Sequence, residues 1–222
     1  MLAHINSLGE KQTVEQHSAN TAELCFNEGE RLCIGNVCRL TGLLHDIGKN
    51  KKEFDNYIKN AYEGENTVKR GEIDHSTAGG QYIFKRFYKD SDIYGRLTAE
   101  LIANAVFSHH GIRDIINKDG EEVFIERTEK SNIAYGEVME NSSGLLESND
   151  IDSLFADSSF EIKAMYAKIV DVCKKSENKQ NSGFFMLGSL QRLITSVLID
   201  ADRTDTANFM TGLNKEPEDC QK

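Results

Sequence analysis

Apolar residues recur along most of this chain at intervals of three and four, the spacing of one face of an α-helix. Residues 11–29 place Val14, His17, Thr21 and Leu24 on one stripe, and residues 31–47 repeat the pattern through Leu32, Val37, Leu40, Leu44 and Ile47, with Gly48 as a stop. A short helix over 51–61 precedes a polar, glycine-rich stretch, after which "DHSTAGGQYIFKRF" predicts a helix with Asp74 as its N-cap and His75 in its first turn. Over 96–110, Leu101, Ala105 and His109 share one stripe and Ile102, Val106 and His110 the next, with Gly111 ending the helix. Residues 159–176 and 184–203 predict two more, the second with Leu190, Ile194, Leu198 and Asp202 in steps of four.

Between 112 and 157 the pattern fades. "GEEVFIERTE" predicts a small β-hairpin near 118–127, and "ENSSGLLESNDIDSLFADSS" reads as an acidic, serine-rich loop or insertion. The whole predicts an all-α helical bundle over residues 1–210, followed by a polar tail or linker at 211–222. The single proline, Pro217, and a hydrophobic fraction of 39% support a folded, helical chain.

Composition narrows the possible functions. A net charge of −10 counts against broad electrostatic binding of nucleic acid, although "KNKK" (Lys49, Lys51, Lys52) is a local basic run. The five cysteines form no CxxC pair and are odd in number, which predicts reduced thiols rather than a disulfide framework or a thiolate metal site. With no secretory leader pattern at the N-terminus and no uninterrupted apolar run of membrane-spanning length, a cytoplasmic protein without a membrane partner is expected.

The chemistry lies in the histidines. Of six, five (His17, His45, His75, His109, His110) fall on helix faces or ends that should point inward, and His4 does not. One buried imidazole is an ordinary hydrogen-bonded core residue. Five, together with Asp46 and Asp202, would leave many polar groups in one core, each costly unless paired. Divalent metal ions satisfy such a set, and imidazole and carboxylate donors suit Mn, Fe, Co, Ni or Zn. Seven side chains are too many for one ion, whereas a bridging carboxylate serves two, the arrangement that clamps attacking and leaving oxygens in phosphoryl transfer.

"EQHSANTAEL", "TGLLHDIGKNKKEF", "DHSTAGGQYIF", "SHHGIRD" and "LIDADRTDT" follow one another from residue 15 to 206. In that order they resemble the HD superfamily of metal-dependent phosphohydrolases, and within it the HD nuclease domain of the CRISPR-associated helicase-nuclease of type I interference systems. The resemblance implies an HD-domain helical bundle with two metal ions. His17, His45, Asp46 and Asp202 would hold one ion and Asp46, His75, His109 and His110 the other, with Asp46 as the bridge and Lys49 beside the ions as a second catalytic group. Asp202 is chosen over Asp200 and Asp205 because it fits both the family position and the apolar stripe.

The expected activity is a metal-dependent endonuclease that hydrolyses single-stranded DNA with metal-activated water, in antiviral defence. No phosphate-binding loop of the GxxxxGK[ST] type occurs, so a helicase domain or subunit is the expected partner, and through it a CRISPR RNA-guided surveillance complex. Lys51, Lys52 and Arg113 are candidates for lining the path of the strand. An HD phosphohydrolase acting on nucleotides or cyclic nucleotides is the alternative, although "HHGIRD" lacks the glycine-tyrosine-proline signature of the cyclic-dinucleotide branch. A catalytically silent HD scaffold is the third reading.

Overall fold

The structure is a computed structural model that describes residues 1–65, 68–69, 71–111 and 122–212. Two short strands, β1 (Leu2–Ile5) and β2 (Lys11–Thr13), open it as an antiparallel hairpin, with His4 opposite Gln12. Periodicity alone placed 11–13 in the first helix. They are strand because Thr13 caps the helix instead: its hydroxyl accepts from the Gln16 amide while the Gln16 side chain accepts from the Thr13 amide.

α1 (Val14–Glu30) and α2 (Gly35–Leu44) form the centre of the molecule. They approach closely through small residues, since a Cβ on Gly42 would come within 2.9 Å of the Ala22 Cα. α2 buries Val37, Leu40, Leu43 and Leu44 completely or nearly so. Each such side chain contributes about 1.5–3 kcal/mol relative to exposure. The start of α2 is capped from a distance: the Glu161 carboxylate accepts from the Asn36 and Val37 amides, both at 3.0 Å.

A single 3₁₀ turn (Ile47–Lys49) follows α2, then α3 (Lys52–Glu63), α4 (Thr77–Phe87) and α5 (Ile93–Ser108). Asp74 does not cap α4 directly. It sits three residues before Thr77 and accepts from that residue's amide and hydroxyl at 3.1 and 2.8 Å, so His75 lies on the approach to the helix rather than in its first turn.

The expectation for 112–157 is corrected where the structure describes it. Residues 123–127 of the expected hairpin belong to α6 (Val123–Glu129), and 112–121 lie outside the described residues. The supposed acidic loop is two helices, α7 (Tyr135–Ser148) and the start of α8 (Ile151–Cys173). Each contributes few but fully used anchors: Val138 and Leu145 from α7, and Ile151, Leu154 and Phe155 from α8, are buried.

α9 (Lys179–Thr211) closes the bundle against α1, α2, α5 and α8. It is long and apolar enough, by length and composition alone, to cross a membrane. In this fold Leu190, Ile194, Leu198 and Ala201 are buried in the core, whereas Phe184 and Phe185 towards its N-terminus are exposed. The tail at 213–222 lies outside the described residues. Thirty-three residues of helix bring an aspartate pair from the C-terminal part of the chain back to α1.

α4 meets the end of α2 at Gly79, where an added Cβ would run into the Leu44 carbonyl oxygen and the helix backbone itself would have to move. Gly79→Ala should therefore lower stability by about 1–3 kcal/mol or more, read as a shift in the urea midpoint at unchanged slope. An unchanged midpoint would show that the two helices are less tightly juxtaposed than this.

Candidate metal centre

Three helix ends, the body of a fourth helix and one loop converge at the C-terminus of α2. His45 is the C-cap of that helix and Asp46 follows it; His109 is the C-cap of α5, with His110 next. His17 comes from the first turns of α1, Asp202 from α9, and His75 from the segment ahead of α4. Gly48 lets the turn after Asp46 press against that segment, because any Cβ there would strike the His75 carbonyl.

The seven side chains fall into two groups of four that share Asp46. In each group the donor atoms all lie within 4.8 Å of one another: His17, His45, Asp46 and Asp202 in one, and Asp46, His75, His109 and His110 in the other. In the first, His17 Nε2 is 3.2 Å from both Asp46 Oδ2 and Asp202 Oδ1, and 3.2 Å from His45 Nε2. In the second, His109 Nε2 is 3.5 Å and His75 Nε2 4.0 Å from Asp46 Oδ1. Ligands bound about 2.0–2.2 Å from one ion are themselves about 3–4 Å apart, so these separations suit shared coordination.

The ring orientations carry the argument further. His45, His75 and His109 each direct Nδ1 at a backbone carbonyl, those of Gly42, Ile73 and Val106, at 2.7, 2.9 and 2.7 Å. A carbonyl only accepts, so Nδ1 carries a proton, and each of these rings, when neutral, presents a bare Nε2 lone pair to the centre. His75 Nε2 and His110 Nε2 lie 2.5 Å apart, a separation that a proton on His110 Nε2 or a cation between two lone pairs would satisfy. Asp46 Oδ1 and His109 Nε2 are also buried without a hydrogen-bond partner among the described residues. Such orphaned acceptors are costly, and a divalent cation would satisfy both.

Electrostatics points the same way. Among the described residues, Asp46, Asp202 and Asp205 face a single ammonium, that of Lys49, whose Nζ lies 2.6 Å from Asp46 Oδ2. Three carboxylates against one ammonium leave a formal −2 when the imidazoles are neutral. Burial opposes charge on His17, but hydrogen bonds to Asp202, Asp205 and Asp46 overcome it and raise its pKa from 6.5 to about 10. Burial likewise opposes charge on His45, and Asp46 together with Asp202 raises it to about 9. Burial holds Asp46 up but Lys49 and His45 bring it well below the usual carboxylate range. In the second group, burial and the neighbouring His109 and His75 depress His110 to about 3, so that end repels protons and keeps its nitrogens free.

A family model for the HD domain matches residues 14–157, more than half of the chain. The chain belongs to the HD domain family. HD membership together with the two His/Asp groups marks it as a metal-dependent phosphohydrolase. Among curated proteins none matches it. The HD match takes in His17 through His110 and ends before α9, so the contribution of Asp202 rests on the fold.

The remaining expected residues separate. Lys49 lies against the centre, 6% exposed. Lys51, a candidate for the path of the strand, is 2% exposed, and its Nζ donates to the Asp74 carbonyl at 2.8 Å, where it braces the segment that carries His75. Lys52 is exposed at the start of α3, and Arg113 lies outside the described residues. Asp200 faces solvent.

Two contacts escaped the sequence reading. His4 on β1 packs edge-on against the His17 ring, centroids 4.9 Å apart, and Asp205 accepts from His17 Nδ1 at 2.7 Å. The position of Asp205, one helical turn from Asp202, was the available signal for the second. Nothing in the short hairpin sequence announced the first.

The raised His17 value gives a signed pH dependence for metal-free protein. Its charge stabilises the fold fully below about 6.5, and that contribution is lost as pH rises towards 10. The melting temperature of chelator-stripped protein should fall across that window, less steeply in His17→Gln. A divalent ion should stabilise more at pH 8.5 than at pH 6, because protons and metal compete for the same nitrogens. Equal slopes in the two proteins would contradict the ionised His17.

Proposed function

We propose that this HD protein is a two-metal endonuclease that hydrolyses phosphodiester bonds of single-stranded DNA, delivered by a helicase in cis or in trans during CRISPR interference. The observation that carries the reading is the sharing of one fully buried carboxylate, Asp46, between two complete donor groups. His17, His45, Asp46 and Asp202 would hold one cation and Asp46, His75, His109 and His110 the other. The chemistry such cations would supply there is a lower pKa for water, from about 15.7 to about 7, and neutralisation of phosphate charge.

The protein's own groups prepare the substrate's place. His17, His45, Asp46 and His109 form a buried floor, while Asp202, His75 and His110 are the more accessible donors and mark the open side. A phosphate approaching from that side reaches the centre without prying helices apart. Lys49, held 2.6 Å from Asp46, offers a fixed positive charge to the phosphate oxygens as negative charge develops on them.

A recessed floor among helix ends favours a flexible single strand over a rigid duplex. A chain of net charge −10 holds DNA weakly by itself, which is why delivery by a helicase belongs to the proposal. The resemblance of the five motifs to the type I nuclease domain supports DNA rather than a small phosphoester as the substrate.

Purified protein reconstituted anaerobically with Mn, Fe, Co, Ni or Zn should take up about two ions per chain and cut labelled circular single-stranded DNA, which has no ends for an exonuclease. Asp46→Ala should lose both ions and reduce cutting by at least about 10³-fold, about 4 kcal/mol of transition-state stabilisation. A loaded centre that spares the circle but turns over nucleoside phosphates or cyclic dinucleotides would replace this reading with the small-molecule one. Failure to bind metal would remove both.

A further inference from the structure

Asp205 belongs to neither donor group, yet it is only 2% exposed beside one of them. It lies one turn beyond Asp202 on α9, facing the back of the His17 ring. Its Oδ2 accepts from His17 Nδ1 at 2.7 Å and from Gln12 Nε2 at 2.8 Å, and its Oδ1 accepts from Asn20 Nδ2 at 2.8 Å. Three elements meet on one carboxylate: β2 through Gln12, α1 through Asn20 and His17, and α9 through Asp205 itself.

This sets His17 apart. The Nδ1 atoms of His45, His75 and His109 face neutral carbonyls, whereas that of His17 faces an anion. A carboxylate is the stronger acceptor, so it holds the ring proton firmly at Nδ1, turns the Nε2 lone pair towards Asp46 and Asp202, and makes that nitrogen a better donor. The Gln12 and Asn20 amides, both donating, fix the carboxylate in the one orientation that serves this purpose.

We propose that Asp205 is the positioning residue of the first metal group, setting the tautomer and orientation of His17 and through them the affinity of the ion held by His17, His45, Asp46 and Asp202. Gln12 and Asn20 are its supports. The inference rests on the two-ion reading of the centre.

The test uses the full chain and its Asp205→Asn, Asp205→Glu and Gln12→Ala variants. Affinity for Mn or Co is measured by chelator competition, ion content by elemental analysis, and the protonation of each imidazole nitrogen by ¹⁵N NMR of metal-free protein followed upward in pH until His17 is neutral. An amide offers one acceptor oxygen where the carboxylate serves three donors. Asp205→Asn should therefore weaken one ion by about 10- to 100-fold, leave the other within about twofold, and release the Nδ1–H of His17 into a tautomeric mixture.

Asp205→Glu should recover part of both effects. Gln12→Ala should shift them in the same direction by a smaller factor, which keeps the proposal testable should Asp205→Asn fail to fold. Retention of both ions within twofold in Asp205→Asn, with His17 still protonated at Nδ1, would overturn the positioning role. A wild-type chain that binds no ion would instead overturn the two-ion reading, and the positioning role with it.

Discussion

The buried carboxylate of Asp46 is the constraint around which the rest is arranged. It is 1% exposed, at the end of a helix whose other residues form the apolar centre of the molecule. An isolated charge there would cost many kcal/mol, so the fold must surround it with donors or cations. Lys49 supplies one from the next turn, and His17, His45 and His109 bring three imidazoles to within 3.5 Å. Oδ1 still keeps no hydrogen-bond partner among the described residues, and that remaining valence is what a shared cation would take up.

Much of the helix packing follows from that requirement. α1 and α2 close to backbone contact at Gly42 so that His17 and His45 stand side by side, and α4 closes on the end of α2 at Gly79. The segment holding His75 is braced by the Lys51 ammonium and by an Asp74 network of Thr77 and Lys130. α9 is the long-range element: it returns from residue 179 to lay Asp202 and Asp205 against α1. The floor of the centre is thereby built into the core, while its open side lies where helices end, an arrangement that keeps donors rigid but leaves room for a substrate.

The fold class and most helices were legible because their apolar stripes are long and regular. The errors fall where local signals compete. Lys11 to Thr13 has residues that fit either a helix or a strand, and pairing with β1 decided for strand. Asp74 reads as a helix cap, but its hydrogen bonds reach forward to Thr77 and move the helix start. The 140–159 stretch reads as a loop because its polar face dominates the composition, while a few anchors such as Leu145, Leu154 and Phe155 are enough to hold two helices to the core. Lys51 reads as surface charge, and only the tertiary fold shows that its ammonium donates to the Asp74 carbonyl.

By itself, the amino-acid sequence determined that the chain would be a helical bundle and that its inward-facing faces would carry five histidines and two aspartates. Periodicity says which side chains share a face, and burial chemistry says that so many polar groups must find common partners. Periodicity could not say which of them would meet, although the resemblance of the motifs to the HD superfamily already implied two groups about Asp46. Only the tertiary structure decided that Asp205 sits behind His17 while Asp200 faces water, that His110 stays exposed, and that His4 joins them from a strand. Those outcomes depend on how far one helix slides and rotates against another, and a shift of a single turn on α9, invisible to any local pattern, would exchange Asp202 for a neighbour.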